Sequence, residues 1–168
     1  DKVVLNAAGV EAFNKKIIAA SPTVYDMAAY PKTLSGKTVT AYVNTHTDLS
    51  DELYREGKLV SDNYKNILRS QTNAAAIPAE VTVRYGVTVR RANLRNLPTG
   101  EGLFFYASDR NFDALQETAL DPGEAVAILH TSTNGYFYYV QAYNYRGWLS
   151  KFDVAETDRS TWLLRITH

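Results

Sequence analysis

Cysteine is absent from this chain. Thiol nucleophiles, CxxC redox pairs and thiolate metal centres are therefore excluded. Histidine is scarce as well. His46, His130 and His168 lie far apart with no HExxH or HxH spacing, so the sequence points to no metal site and calls for no cofactor. An excess of one charge is also missing, because 18 basic residues balance 18 acidic ones. A nucleic-acid partner normally draws a basic stripe, and the densest basic spot here, Arg90, Arg91 and Arg95, reads as a solvated strand end. The apolar runs are only a few residues long, far below the ~20 that a bilayer requires, so no membrane span is expected.

What is present is enough for a packed core. The chain has 168 residues, 45% of them hydrophobic, which suits one domain or two small ones. No signal peptide is visible, and a start at Asp1 suits a mature chain from which one has been removed.

The composition changes near residue 78. In "LNAAGVEAFNKKIIAASP", Asn6 is an N-cap, Val10, Phe13, Ile17 and Ile18 fall at helical spacing, and Pro22 closes the helix. "SDNYKNILRSQTN" repeats the design, with Ser61 as cap and Tyr64, Ile67 and Leu68 on one face. Between them a short strand is expected at 38–43, and "DLSDELYREGKLV" reads as a turn-rich connection. "NAAAIPAE" resembles a linker, because Pro78 stops a helix and biases Ile77 toward extended backbone.

Beyond it the period becomes two. "EVTVRYGVTVRRANL" alternates about Gly86, where a bulge or bend is expected. Val126, Ile128 and His130 alternate with Ala127 and Leu129. Asn134-Gly135 suits a type I′ turn into a return strand from Tyr136 to Val140. Tyr145 to Leu149 makes a further strand, and "SKFDVAE" a short helical turn. The stretch "NLPTGEGLFFYASDRNFDALQETAL" is too long for an ordinary hairpin loop. A curled sheet that hides its edges is the economical solution, which predicts an SH3-like barrel with Val83, Ile128 and Trp148 in its core.

Across about 80–155, an ordered set of motifs resembles the first bacterial SH3-like domain of multidomain NlpC-type cell-wall cysteine peptidases. The set runs "RYG", "RANLRNLPT", "FDALQETAL", "GEAVAILHTS", "NG", "GWL" and "DVA". "FNKKIIA" and "YDMAAYP" resemble, more loosely, the segment that precedes this barrel in those peptidases. The resemblance implies an α+β fold. Its parts are a helical N-terminal segment over 1–77, a small SH3-like β-barrel with a long RT-type loop over 78–156, and the start of a following segment or a tail over 157–168. In that setting Pro98-Thr99-Gly100 begins the long loop.

Relatives of this kind cleave the γ-D-glutamyl–diamino-acid bond of peptidoglycan stem peptides with a Cys-His pair in a C-terminal domain. This chain, lacking cysteine, is expected to be non-catalytic. The resemblance implies a cell-envelope location (periplasmic or secreted). It also implies stem peptide as partner, together with downstream SH3-like and catalytic domains of the same polypeptide. In the family the first barrel walls one end of the cleft and favours a free N-terminal L-alanine, a task for a carboxylate and a tyrosine.

Glu101, Asp109 and Asp113 in the long loop, and Tyr138 and Tyr139 beside the hairpin, are the substrate-binding candidates. Each has a plainer reading. Asp113 caps a helical turn "DALQETAL", Glu101 is a solvated loop-tip acid, and the tyrosines pack across strands. His130 reads as a structural hydrogen bonder. A stand-alone wall-binding protein is the alternative. A carboxylate hydrolase ranks last, because no acid pair stands out.

Overall fold

A computed structural model describes residues 6–21 and 23–167. Asp1, the closure at Pro22 and His168 lie outside the described residues. Helix α1 (Ala7–Ala20) begins where Asn6 Oδ1 accepts from the Gly9 amide at 2.9 Å. Its apolar stripe forms as expected, yet none of its residues is buried.

Strand β1 (Thr33–Ser35) runs directly into helix α2 (Gly36–Asn44). This corrects the strand expected at 38–43. Val39, Thr40 and Val43 favour strands locally, but Ser35 Oγ accepts from the Thr38 amide at 3.2 Å and starts a helix. Val39 and Val43, one turn apart, then bury together. The connection that follows holds a tiny hairpin, β2 (Tyr54–Arg55) and β3 (Lys58–Leu59). Its two-residue turn has φ of 52° at Glu56 and 80° at Gly57, the paired left-handed geometry of a type I′ turn. Helix α3 (Asp62–Gln71) starts at Ser61 as expected, but it buries Lys65 and Leu68 and leaves Ile67 exposed.

After a 3-10 turn at Ala74–Ala76, β4 (Glu80–Thr82) pairs antiparallel with β1. The chain changes sheets at Val83, so the bend falls three residues before Gly86. A single seven-stranded antiparallel sheet then forms from β5 (Arg84–Thr88), β6 (Ala92–Arg95), β7 (Gln116–Leu120), β8 (Ala125–Thr131), β9 (Phe137–Gln141), β10 (Arg146–Ser150) and β11 (Val154–Thr157). Its order is β11-β5-β8-β9-β10-β6-β7. Among the described residues β7 does not pair with β11, so the ladder does not close.

Two local expectations change here. Residues read as a helical turn in "DALQETAL" are strand β7, with Asp113 capping the turn before it. At the β8–β9 hairpin only Gly135 has a positive φ, 72°, and its amide donates to Ser132 O at 2.9 Å. The turn is therefore a type I turn followed by a left-handed glycine.

The sheet has two buried faces. On one, Leu94, Leu120, Val126, Ile128, Val140, Leu149 and Val154 meet in one cluster, which requires the sheet to curl. On the other, Val83, Leu129, Tyr139 and Trp148 pack with Met27, Tyr30, Val39 and Val43 from the N-terminal half. Ile128 is thus separated from Val83 and Trp148. Period-two alternation sends neighbours to opposite faces, and the N-terminal half covers the face that an isolated barrel would leave wet.

The last helix, α4 (Arg159–Thr167), read from sequence as the start of a following segment or a tail, docks on this same cluster through Trp162. Trp162 lies 4.8 Å from the Tyr85 ring and is fully buried, as is Trp148. A buried indole removes roughly 150–250 Å² from water, so these two residues dominate the shared core.

Candidate functional site

The long loop, residues 96–115, is closed at its base where the Asn96 amide donates to Leu115 O at 2.8 Å. Leu97, Leu103 and Leu115 turn inward and form a third cluster with Leu49, Leu53, Val60 and Leu68. The loop is therefore packed against α3 and the β2–β3 hairpin. Tyr54 and Phe104 exchange backbone hydrogen bonds of 2.7 and 2.9 Å there.

Inside the loop sits a buried ion pair. Arg95 Nη1 meets Asp113 Oδ2 at 2.7 Å, with side-chain exposures of 7% and 16%. Asp113 Oδ1 also accepts from the amides of Leu103 and Leu115, at 3.1 and 3.0 Å. Arg95 Nη2 donates to the carbonyl of Glu101 at 2.6 Å, and the Glu101 amide donates to Thr99 Oγ1 at 3.1 Å. The Pro98-Thr99-Gly100 corner and the Arg95–Asp113 pair therefore aim one residue, Glu101.

Glu101 points at the hairpin side. Its Oε1 pairs with Arg55 Nη2 at 2.7 Å, and its Oε2 accepts from the Tyr64 hydroxyl. Arg55 also lies over the Tyr64 ring, 5.3 Å from its centre. Burial, and then the hydrogen bond and negative charge of Glu101, push the Tyr64 phenol up to about 12. Tyr64 is therefore a neutral donor at physiological pH. The Glu101 side chain stays 43% exposed, so a further donor can reach it. An open cavity of about 290 Å³ adjoins the cluster, lined by Arg55, Lys58, Val60, Ser61 and Tyr64 among others.

The other sequence candidates lie elsewhere. Asp109 Oδ1 accepts from its own turn, the amides of Asn111 and Phe112, at 2.8 and 3.3 Å, which holds its carboxyl below the usual range. Tyr138 donates to Glu156 Oε1 at 2.6 Å under the Arg84 guanidinium. Tyr139 is 3% exposed and donates to Tyr42 O at 2.8 Å. Of the five candidates, Glu101 and Asp113 meet through Arg95; Asp109, Tyr138 and Tyr139 do not join them. Sequence reading missed Tyr64 and Arg55 as partners, because they lie far upstream. It also assigned Arg95 to a solvated end, whereas its side chain is 7% exposed and paired with Asp113.

Among the described residues no group of three or more His, Asp or Glu side chains is placed to hold a metal ion, and no helix is long and apolar enough to cross a membrane.

Residues 103–150 match the SH3 domain family of the SH3b1 type. No curated protein matches the chain. Among solved structures it is similar to an NlpC/P60 endopeptidase from Photobacterium damselae subsp. piscicida, with a TM-score of 0.71 and 19% identity. That likeness covers 96% of this chain and 39% of the other. At such low identity the likeness is one of fold, and it extends over the helical N-terminal half as well as the sheet.

Proposed function

We propose that this chain is the non-catalytic, SH3-type recognition region of a cell-envelope endopeptidase, and that Glu101 and Tyr64 receive the N-terminal ammonium of a peptidoglycan stem peptide. The observation that carries this reading is the carboxylate of Glu101 held against the Tyr64 phenol at the tip of a braced loop. An ammonium needs an anionic acceptor and further oxygen acceptors in fixed positions, and charge-assisted hydrogen bonds are about twice as strong as neutral ones. Arg55 occupies part of that carboxylate in the free chain. Its ion pair is 40% and 43% exposed and therefore contributes little, so an incoming ammonium displaces it at small cost.

The fold likeness to an endopeptidase and the match to an SH3b1-type domain support the cell-wall setting. The cutting falls to another domain of the parent polypeptide, since this chain has no cysteine. The test is titration with a stem peptide carrying a free or an acetylated N-terminal alanine. The free form binds better, Glu101→Gln removes the difference, and Arg55→Ala keeps it. Equal binding of the two peptides rejects the ammonium site; hydrolysis of either by the chain alone rejects the non-catalytic assignment.

A further inference from the structure

A second cavity, of about 440 Å³, shares no lining residue with the Glu101 cluster. Thr23, Tyr25, His46, Glu117, Gln141 and Arg146 border it. Its volume falls within the range of small-ligand pockets, ~300–1,000 Å³.

Arg146 is held rigidly at this cavity. Its Nε donates to Gln141 Oε1 at 2.6 Å and its Nη2 to the Tyr25 hydroxyl at 2.8 Å. Its guanidinium lies on the Tyr42 ring, 3.3 Å from the centre. Gln141 is itself locked: it is 1% exposed, and its Nε2 donates to the carbonyls of Ala142 and Tyr145 at 2.7 and 3.0 Å. Its remaining oxygen can only face Arg146. With its Nε2 spent on two backbone carbonyls, the Gln141 amide cannot rotate, so its oxygen fixes the orientation of the guanidinium.

Among the described residues the charge has no carboxylate at ion-pair distance: Arg95 and Arg55 have carboxylate partners, but Arg146 forms no ion pair. The side chains it bonds to or stacks on are Gln141, Tyr25 and Tyr42, none of them a carboxylate. Burial raises the phenols of Tyr30, Tyr42 and Tyr139 above their ordinary value. Neither Nη1 nor the second hydrogen of Nη2 is used by the hydrogen bonds described, so a two-pronged edge remains available.

We propose that this cavity binds a monocarboxylate, such as the C-terminus of a short peptide, on the free edge of the Arg146 guanidinium. Carboxylate geometry matches that fork. Glu117 borders the same cavity and opposes a second negative charge, which selects a single carboxylate over phosphate. Since Tyr42 and Gln141 already fix the arginine, little side-chain freedom is lost on binding.

The experiment follows backbone amide NMR shifts of Thr23–Tyr25 and Asn144–Arg146 in the intact chain. The probes are N-acetyl-alanyl-alanine, its C-terminal amide, and inorganic phosphate. The first has no ammonium, so its binding is independent of the Glu101 site and must survive Glu101→Gln. The expected result is a saturable shift with the carboxylate. Affinity drops about tenfold or more with the amide, with phosphate and in Arg146→Gln. Should Arg146→Gln fold poorly, Arg146→Lys keeps the charge without the fork, and the three probes on the unaltered chain still decide. Equal response to acid and amide, stronger response to phosphate, or no response at these amides overturns the site.

Discussion

Arg95 and Asp113 face each other across the base of the long loop at 2.7 Å, both nearly out of water. The pair does more than neutralise itself. Asp113 also holds two loop amides, and Arg95 holds the carbonyl of Glu101. Removing one partner leaves a buried charge, a loss of about 3 kcal/mol or more. Asp113→Ala is therefore expected to lower the urea midpoint by that equivalent. The double variant Arg95→Met/Asp113→Leu should recover only part of the loss, because no charge is stranded but the Leu103 and Leu115 amides and the Glu101 carbonyl lose their partners. If Asp113→Ala unfolds at the parent midpoint, the pair is not the brace described.

Glu56 occupies a left-handed position, φ 52°, in the β2–β3 turn. A glutamate there is strained by about 1 kcal/mol, whereas asparagine and glycine favour the first position of a type I′ turn. Glu56→Asn is expected to raise the thermal midpoint by the equivalent of several tenths to about 1 kcal/mol. Calorimetry on the two chains checks it, and a lower midpoint would contradict the assigned turn.

Tyr138 and Tyr139 are neighbours with opposite fates. Tyr139 is buried against Trp148, ring centres 5.1 Å apart, while Tyr138 lies on the other face beside Arg84 and Glu156. Tyr139→Ala should cost about 3–5 kcal/mol through the cavity it opens. Tyr139→Phe, which gives up only the bond to Tyr42 O, should cost about 1 kcal/mol. Tyr138→Ala is expected to be the milder truncation. A ligand assay on Tyr139→Ala would therefore read misfolding, and denaturation curves of the three variants test this ordering.

The contrast shows which parts were legible in the sequence. Strands β8, β9 and β10 follow alternation and a glycine turn, both local signals. Helix α2 was hidden, since Val39, Thr40 and Val43 read as strand until a tertiary surface claims two of them. The two-faced core was hidden for a related reason. Alternation announces that residues divide between faces, but only the β1–β4 pairing and helix packing reveal that both faces are covered. Glu101 was visible as a loop-tip acid. Its partners Tyr64 and Arg55 were not, because no pattern connects a helix and a hairpin to a loop some forty residues later. Trp162 was readable in principle, for Asp158 accepts from the Thr161 amide at 2.9 Å in an ordinary N-cap.

His130 provides a pH signature. Its Nε2 lies 3.0 Å from the Asn73 carbonyl, so that nitrogen carries the hydrogen. Burial is the main cause that holds the imidazole below its ordinary value of 6.5; the Asn73 and Thr72 carbonyls oppose it, and the charge of Arg84 reinforces it. The unfolded chain therefore takes up this proton first as pH falls. The stability contribution is fully present above about 6.5 and is lost as pH drops through the depressed native value. Glu124 acts with the opposite sign: burial, then Asp121, raises its carboxyl, so the native state is the first to protonate it. The two are separated by variants. Between about pH 7.5 and pH 5.5 the urea midpoint should fall and His130→Gln should flatten that fall; as pH continues toward about 4.5, Glu124→Gln should steepen it. A chain that keeps its full acid sensitivity after His130→Gln would show that the imidazole is not buried neutral.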